Sequence, residues 1–194
     1  MGKSIYKLYW RGDLKLLQQP MIAVIGSRDV SLDGIKRTQQ IVKELVKLGY
    51  CIVSGLAKGV DATAHRTALE CEGNTIAVLG TDITTCYPAV NGSLKTAIEM
   101  CGLVLSQFPV GFVIDKSRFH QRNILMAHLS QASIVTEATI TSGTRSQVAC
   151  CVRLKKKVGF LASVVAQGHP WVTDAIQSGY GVIISSKQDL KTLV

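Results

Sequence analysis

Seven short apolar runs punctuate the chain: 21–26 (MIAVIG), 51–53 (CIV), 75–79 (TIAVL), 103–106 (LVLS), 133–137 (SIVTE), 158–162 (VGFLA) and 181–184 (GVII). They are too short for ordinary helices and lack polar alternation, as expected of strands buried on both faces of a parallel sheet. Between them apolar positions recur at helical spacing. Residues 33–48 place Ile35, Ile41, Val42, Leu45 and Leu48 on one face, with Asp33 as the cap and Gly49 as the stop. Further helices are predicted over 61–69 with Asp61 as the cap, over 94–100, up to 129, and over 145–154, 172–177 and 187–193. Strands alternating with helices predict an α/β fold, a mostly parallel sheet with helices on both faces. A chain of 194 residues, 47% hydrophobic, has room for one sizeable core, so 1–194 is read as a single domain.

In such sheets ligands sit beyond the carboxyl ends of the strands. The turns that collect there are 26–28, 54–59, 80–91, 106–111 and 137–144, the stretches richest in Gly, Ser and Thr. A further loop is expected to carry Lys116, Arg118, Phe119, His120, Arg122 and Asn123. Residues 51–69 organise this edge. A strand runs into a helix through Ser54 and a turn bracketed by Gly55 and Gly59, with backbone open to a ligand and Lys58 adding a charge. Free amides and a positive dipole end directed at one spot predict a phosphate site, to which the turn Gly26-Ser27-Arg28 brings a second cation. Neither the P-loop pattern nor the dinucleotide fingerprint occurs, so neither ATP hydrolysis nor NAD binding follows.

Charge sharpens this reading. Lysine and arginine total 22 against 13 acidic residues, a net +9, which favours polyanionic partners. The six cysteines are scattered without metal-ligand spacing and read as buried, reduced thiols. No metal or other cofactor is expected. The N-terminus lacks an apolar signal core and no run approaches membrane-spanning length, so the expectation is a cytoplasmic protein with no membrane partner. The basic run Arg153, Lys155, Lys156, Lys157 suits a helix C-terminus.

The strings LYWRGDLKLLQQPMIAVIGSR, SGLAKGVDATAH, GTDITTCYP with Asn91, SQFPVG and FHQRNILMAHLS occur in this order. Together they resemble the DNA-processing protein A (DprA/Smf) family. The resemblance implies an extended Rossmann-like fold that binds single-stranded DNA in a positive pocket, forms a homodimer and helps load a RecA-type recombinase in DNA uptake, without catalysis. It implies phosphate-gripping roles for Arg28 and Lys58, with Gly26, Ser27, Ser54, Gly55 and Gly59 supplying the turns beside them. Arg122 and Asn123 are implied as neighbours in the pocket, and Lys95, just after the Y-P-x-x-N-like segment, as a further candidate. Phe119, Tyr87 and Phe108 are candidate base-stacking faces, since single-strand binders combine cations with aromatic platforms. The separate N-terminal helical and C-terminal winged-helix domains often found in the family have no counterpart in these 194 residues.

Two other readings stay open. The phosphate cradle would equally serve a sensor of a nucleotide or nucleotide derivative. The broader fold also includes phosphoribohydrolases whose P-G-G-x-G-T-x-x-E motif ends in a catalytic glutamate. Here Gln147 stands in place of the acid, which disfavours that chemistry. Glu137, at a strand end, is either a substitute acid or an acceptor that orders a loop, and Asp61 and His65 share a helix face without an identifiable nucleophile.

Overall fold

The computed structural model describes residues 7–111, 115–140 and 143–193. The strands are β1 (Tyr9–Gly12), β2 (Met21–Gly26), β3 (Cys51–Ser54), β4 (Thr75–Leu79), β5 (Leu103–Ser106), β6 (Ala132–Glu137), β7 (Val158–Leu161) and β8 (Gly181–Ile184). The helices are α1 (Leu32–Lys47), α2 (Val60–Glu70), α3 (Gly92–Cys101), α4 (Lys116–Leu129), α5 (Thr144–Arg153), α6 (Ala162–Val165) and α7 (Pro170–Gln177). All these strands join one sheet in the order β1-β5-β4-β3-β2-β6-β7-β8. Only β1 runs antiparallel, against β5, and the other pairs are parallel.

Successive strand residues point to opposite faces, and every residue of β3, β4, β5 and β7 is buried. Both faces are therefore covered. α2 packs over β2, β3 and β4 with α1 and α3 beside it, while α4 lies over β2 and β4 with α5 and then α7 beyond it. The parallel sheet begins at its centre with β2, moves outward through β3, β4 and β5, then returns to the other side of β2 with β6. That reversal leaves a crevice at the carboxyl ends of β2 and β6, where α/β sheets hold ligands. The pairing slips there, Ile25 facing Val135 but Gly26 facing Glu137, so β6 carries one extra residue at its tip.

Four local expectations are corrected. Ser31, not Asp33, caps α1, its hydroxyl accepting from the Gly34 amide at 2.9 Å. Gly59, not Asp61, is the cap residue of α2, and Asp61 lies inside the first turn. Residues 116–123 are helical, with the Asp115 side chain accepting from the Ser117 amide to cap α4. The terminal element Lys187–Leu193 is a 3-10 helix. The edge strand β1 has no counterpart among the predicted elements. Cys51, Cys150 and Cys151 are buried as expected, but Cys101 is exposed at the end of α3 and Cys71 and Cys86 are half-buried. Among the described residues no helix is long and apolar enough to cross a membrane.

Candidate functional site

The turn after β2 is tied to both neighbours. The Ser27 amide donates to the Glu137 carbonyl at 2.9 Å, and the Ser27 carbonyl accepts from the Val60 amide at 3.1 Å. The Ser27 hydroxyl closes on Asp29, leaving the Arg28 side chain exposed beyond a fixed backbone. Gly59 packs against this turn. Its φ is +72°, and a Cβ there would strike the Ser27 and Arg28 carbonyls.

The loop between β3 and α2 is held by three side chains from three elements. Arg122 of α4 donates to the Gly55 carbonyl and, at 3.0 Å, to the Val78 carbonyl at the end of β4. Asn91 donates to the carbonyls of Leu56 at 3.0 Å and Ala57 at 3.2 Å. The Asp61 carboxylate accepts from the Ala57 amide at 3.3 Å. Gly55 is required by Arg122, whose guanidinium fills the space a Cβ would take. The close backbone approach read from the sequence is thus made by the protein's own arginine.

This alters the expected phosphate cradle. The Val60, Ala62 and Thr63 amides at the start of α2 donate to the carbonyls of Ser27, Ala57 and Gly59. The anion at this helix end is the buried Asp61 carboxylate, which suits the dipole. Burial pushes the Asp61 carboxyl above its ordinary range, against the pull of the Arg122 guanidinium and its hydrogen bonds. Burial likewise lowers Arg122, with Asp61 opposing and the Arg28 charge reinforcing that shift.

Two adjoining cavities open at the crevice. The larger, of about 630 Å³, is bounded by Gly26, Ser27, Arg28 and Asp29 on the β2 side and by Asp61, Tyr87, Phe119, His120, Arg122, Asn123, Met126, Ser146 and Gln147. The smaller, of about 250 Å³, contains Gly55, Lys58 and Pro88 and shares Arg28, Tyr87, Phe119 and Arg122 with the first. The Phe119 ring sits between two cations, 5.6 Å from the Arg28 guanidinium and 5.9 Å from that of Arg122. It also packs against Tyr87, centroids 5.4 Å apart and planes tilted by 50°. Tyr87 is 48% exposed. Cations and accessible aromatic faces meet within one cleft.

Of the candidate residues, Gly26, Ser27, Arg28, Gly55, Lys58, Arg122, Asn123, Tyr87 and Phe119 line one or both cavities. Four do not. The Ser54 hydroxyl is buried in the sheet, donating to the Val24 carbonyl at 2.7 Å. Gly59 is used in packing the turn. Lys95 is buried against Glu99 at 2.6 Å. Phe108 is 4% exposed beneath the Arg118 guanidinium, closed to a stacking base.

Asn123 joins α4 to α5, donating to the Gly143 carbonyl and the Ser146 hydroxyl. Gln147 is buried, donating to Ser133. Glu137 proves a loop-ordering acceptor: it takes the Ser31 amide at 2.7 Å and pairs with Arg37 at 2.9 Å. Residues 141 and 142 of the turn 139–144 lie outside the described residues. Asp61 and Asn91 carry more of the site than the sequence signalled, because their partners are backbone groups that no motif marks.

The sequence matches the family described as DNA recombination-mediator protein A over residues 2–192. The chain belongs to that family. It is 42% identical over 137 residues to DNA processing protein DprA of Streptococcus pneumoniae, covering 71% of this chain and 48% of that protein. The X-ray structure of the pneumococcal DprA superposes with a TM-score of 0.87 at 35% identity, covering 95% of this chain and 65% of that one. DNA processing protein A from Helicobacter pylori, solved for its single-stranded DNA binding mode, gives a TM-score of 0.85 at 30% identity, with 98% of this chain and 88% of that one covered. The chain spans about half the length of the curated relatives it matches.

Proposed function

We propose that this chain is a single-stranded DNA-binding module of the DprA type, acting in the cytoplasm without catalysing a reaction of its own. The observation that carries the reading is the Phe119 ring, flanked by the Arg28 and Arg122 guanidinium groups and packed on exposed Tyr87. Stacking on an aromatic beside cations suits a ligand alternating flat bases with phosphates. Arg28 and Lys58, both exposed, meet the phosphates, and Tyr87 and Phe119 meet bases. Arg122, 4% exposed and bonded to two carbonyls, chiefly braces the cleft. The single-stranded DNA binding mode of the Helicobacter pylori relative supports the assignment.

Gln147 in place of an acid, and Glu137 engaged by Ser31 and Arg37, support a binding role over phosphoribohydrolase chemistry. The family's description as a recombination mediator supports a RecA-type recombinase as partner. A homodimer is part of the proposal by kinship. A second reading, a nucleotide sensor, is favoured by one observation: about 630 Å³ falls within the range of small-ligand pockets.

Competition separates the two. A fluorescent oligothymidine should bind, with unlabelled oligothymidine displacing it and duplex DNA or thymidine monophosphate displacing it poorly. Displacement by the mononucleotide at equal site concentration would favour the sensor.

A further inference from the structure

The stretch 55–57, immediately before Lys58, has its backbone groups held one by one. Arg122 takes the Gly55 carbonyl, Asn91 the Leu56 and Ala57 carbonyls, and Asp61 the Ala57 amide. Leu56 is fully buried and adopts the left-handed conformation at φ +57°, an unfavourable state for a branched side chain that its surroundings must enforce. Two of the three grips come from residues lining the cleft. Asn91 borders neither cavity and is 2% exposed. It belongs instead to the loop that carries Tyr87 and Pro88, which face Lys58 across the smaller cavity.

We infer that Asn91 is a positioning residue for strand binding: its single amide locks the Lys58 turn to the Tyr87 loop, fixing a phosphate-binding cation opposite a stacking ring. The inference rests on the single-strand reading of the cleft. Without Asn91 the Leu56 carbonyl loses its donor and the Ala57 carbonyl keeps only the Ala62 amide, the turn at Leu56 loosens, and Lys58 becomes an untethered cation whose ordering is deferred to the moment of binding. The binding lost should then be the Lys58 contribution. An aspartate at 91 would present a carboxylate to the same two carbonyls and loosen the turn further than alanine.

The test compares Lys58→Ala, Asn91→Ala and Lys58→Ala/Asn91→Ala for oligothymidine affinity across a salt series, with thermal unfolding of each. Lys58→Ala should weaken binding and make the slope of log K against log salt shallower by about 0.7, one phosphate contact on a single strand. Asn91→Ala should weaken binding by part of the same factor while keeping the wild-type slope, since the deferred Lys58 contact still forms, and the double variant should be no weaker than Lys58→Ala, the non-additivity of residues acting as one unit. Should Asn91→Ala fail to fold, Asn91→Ser, which keeps one donor, replaces it. Full affinity in the Asn91 variant, or losses that add, overturns the positioning role. If Lys58→Ala itself binds as wild type does, the assignment of the cleft fails instead.

Discussion

Phe119 and Phe108 carry the same ring and predict opposite phenotypes. Phe119 is half-buried between Arg28, Arg122 and Tyr87, whereas Phe108 is closed off under Arg118. Phe119→Ala should cost about 1–3 kcal/mol of strand binding while leaving the salt slope unchanged, since stacking releases no counterions. Phe108→Ala should instead lower unfolding stability by about 3 kcal/mol or more, with binding unchanged in the folded fraction. Fluorescence titration and urea unfolding of the two variants separate the roles. Arg122 is a third case. Removing it leaves the Asp61 carboxylate buried without its countercharge and two carbonyls without a donor. Arg122→Ala should therefore destabilise the fold by about 3–5 kcal/mol, seen as a lower urea midpoint. The distinction between Arg28 and Arg122 is hidden in the sequence, because the Arg122 partner Gly55 lies 67 residues away.

At the scale of elements, the apolar runs were legible because strands covered on both faces need unbroken hydrophobic stretches. Those of β2, β4, β5 and β8 coincide with the predicted ranges. The start of α4 was not legible. Its buried positions include Arg122 beside Met126 and Ala127, so a polar residue sits where the helical period expects an apolar one. β1 is a four-residue edge strand with mostly exposed residues and no repeated pattern to detect. The basic run 153–157 follows the C-terminus of α5 as expected, with Arg153 in its last turn, and one of its lysines also caps a second helix. Lys156 donates to the Ala127, His128 and Ser130 carbonyls at the end of α4, the helix that carries Phe119 and Arg122. α2 also contributes a pH dependence. His65 is fully buried, its Nδ1 2.7 Å from the Thr75 hydroxyl, and burial first, then Arg122, lowers its pKa from 6.5 to about 3. The unfolded chain takes up that proton below 6.5 and the folded one does not, so this stability is complete above pH 6.5 and is lost as pH falls toward 3. Between pH 6.5 and 5 the loss is about 2 kcal/mol. Asp61, with its raised pKa, acts oppositely, its share being present at low pH and lost as pH rises through the raised value. Urea unfolding of His65→Asn should therefore show a weaker fall in stability over pH 6.5 to 5 than wild type; equal falls would contradict the buried neutral imidazole.

For the whole molecule, the doubly wound order places the crevice between β2 and β6, and the loops after β2, β3 and β4 deliver Arg28, Lys58 and Tyr87 to it. In the proposed reading the net charge of +9 would supply the long-range attraction for a polyanion and the cleft the local grip. Sedimentation velocity should show a dimer at micromolar concentration; a monomer across the accessible range would remove that part of the proposal. The most direct test of the central claim is the salt dependence of oligothymidine binding by wild type, Arg28→Ala and Lys58→Ala. Wild type should bind with a steep negative slope, and each variant should bind more weakly with a slope shallower by about 0.7, one phosphate contact on a single strand. Binding that is undiminished in both variants, with the wild-type slope, would contradict the cleft as the strand-binding site.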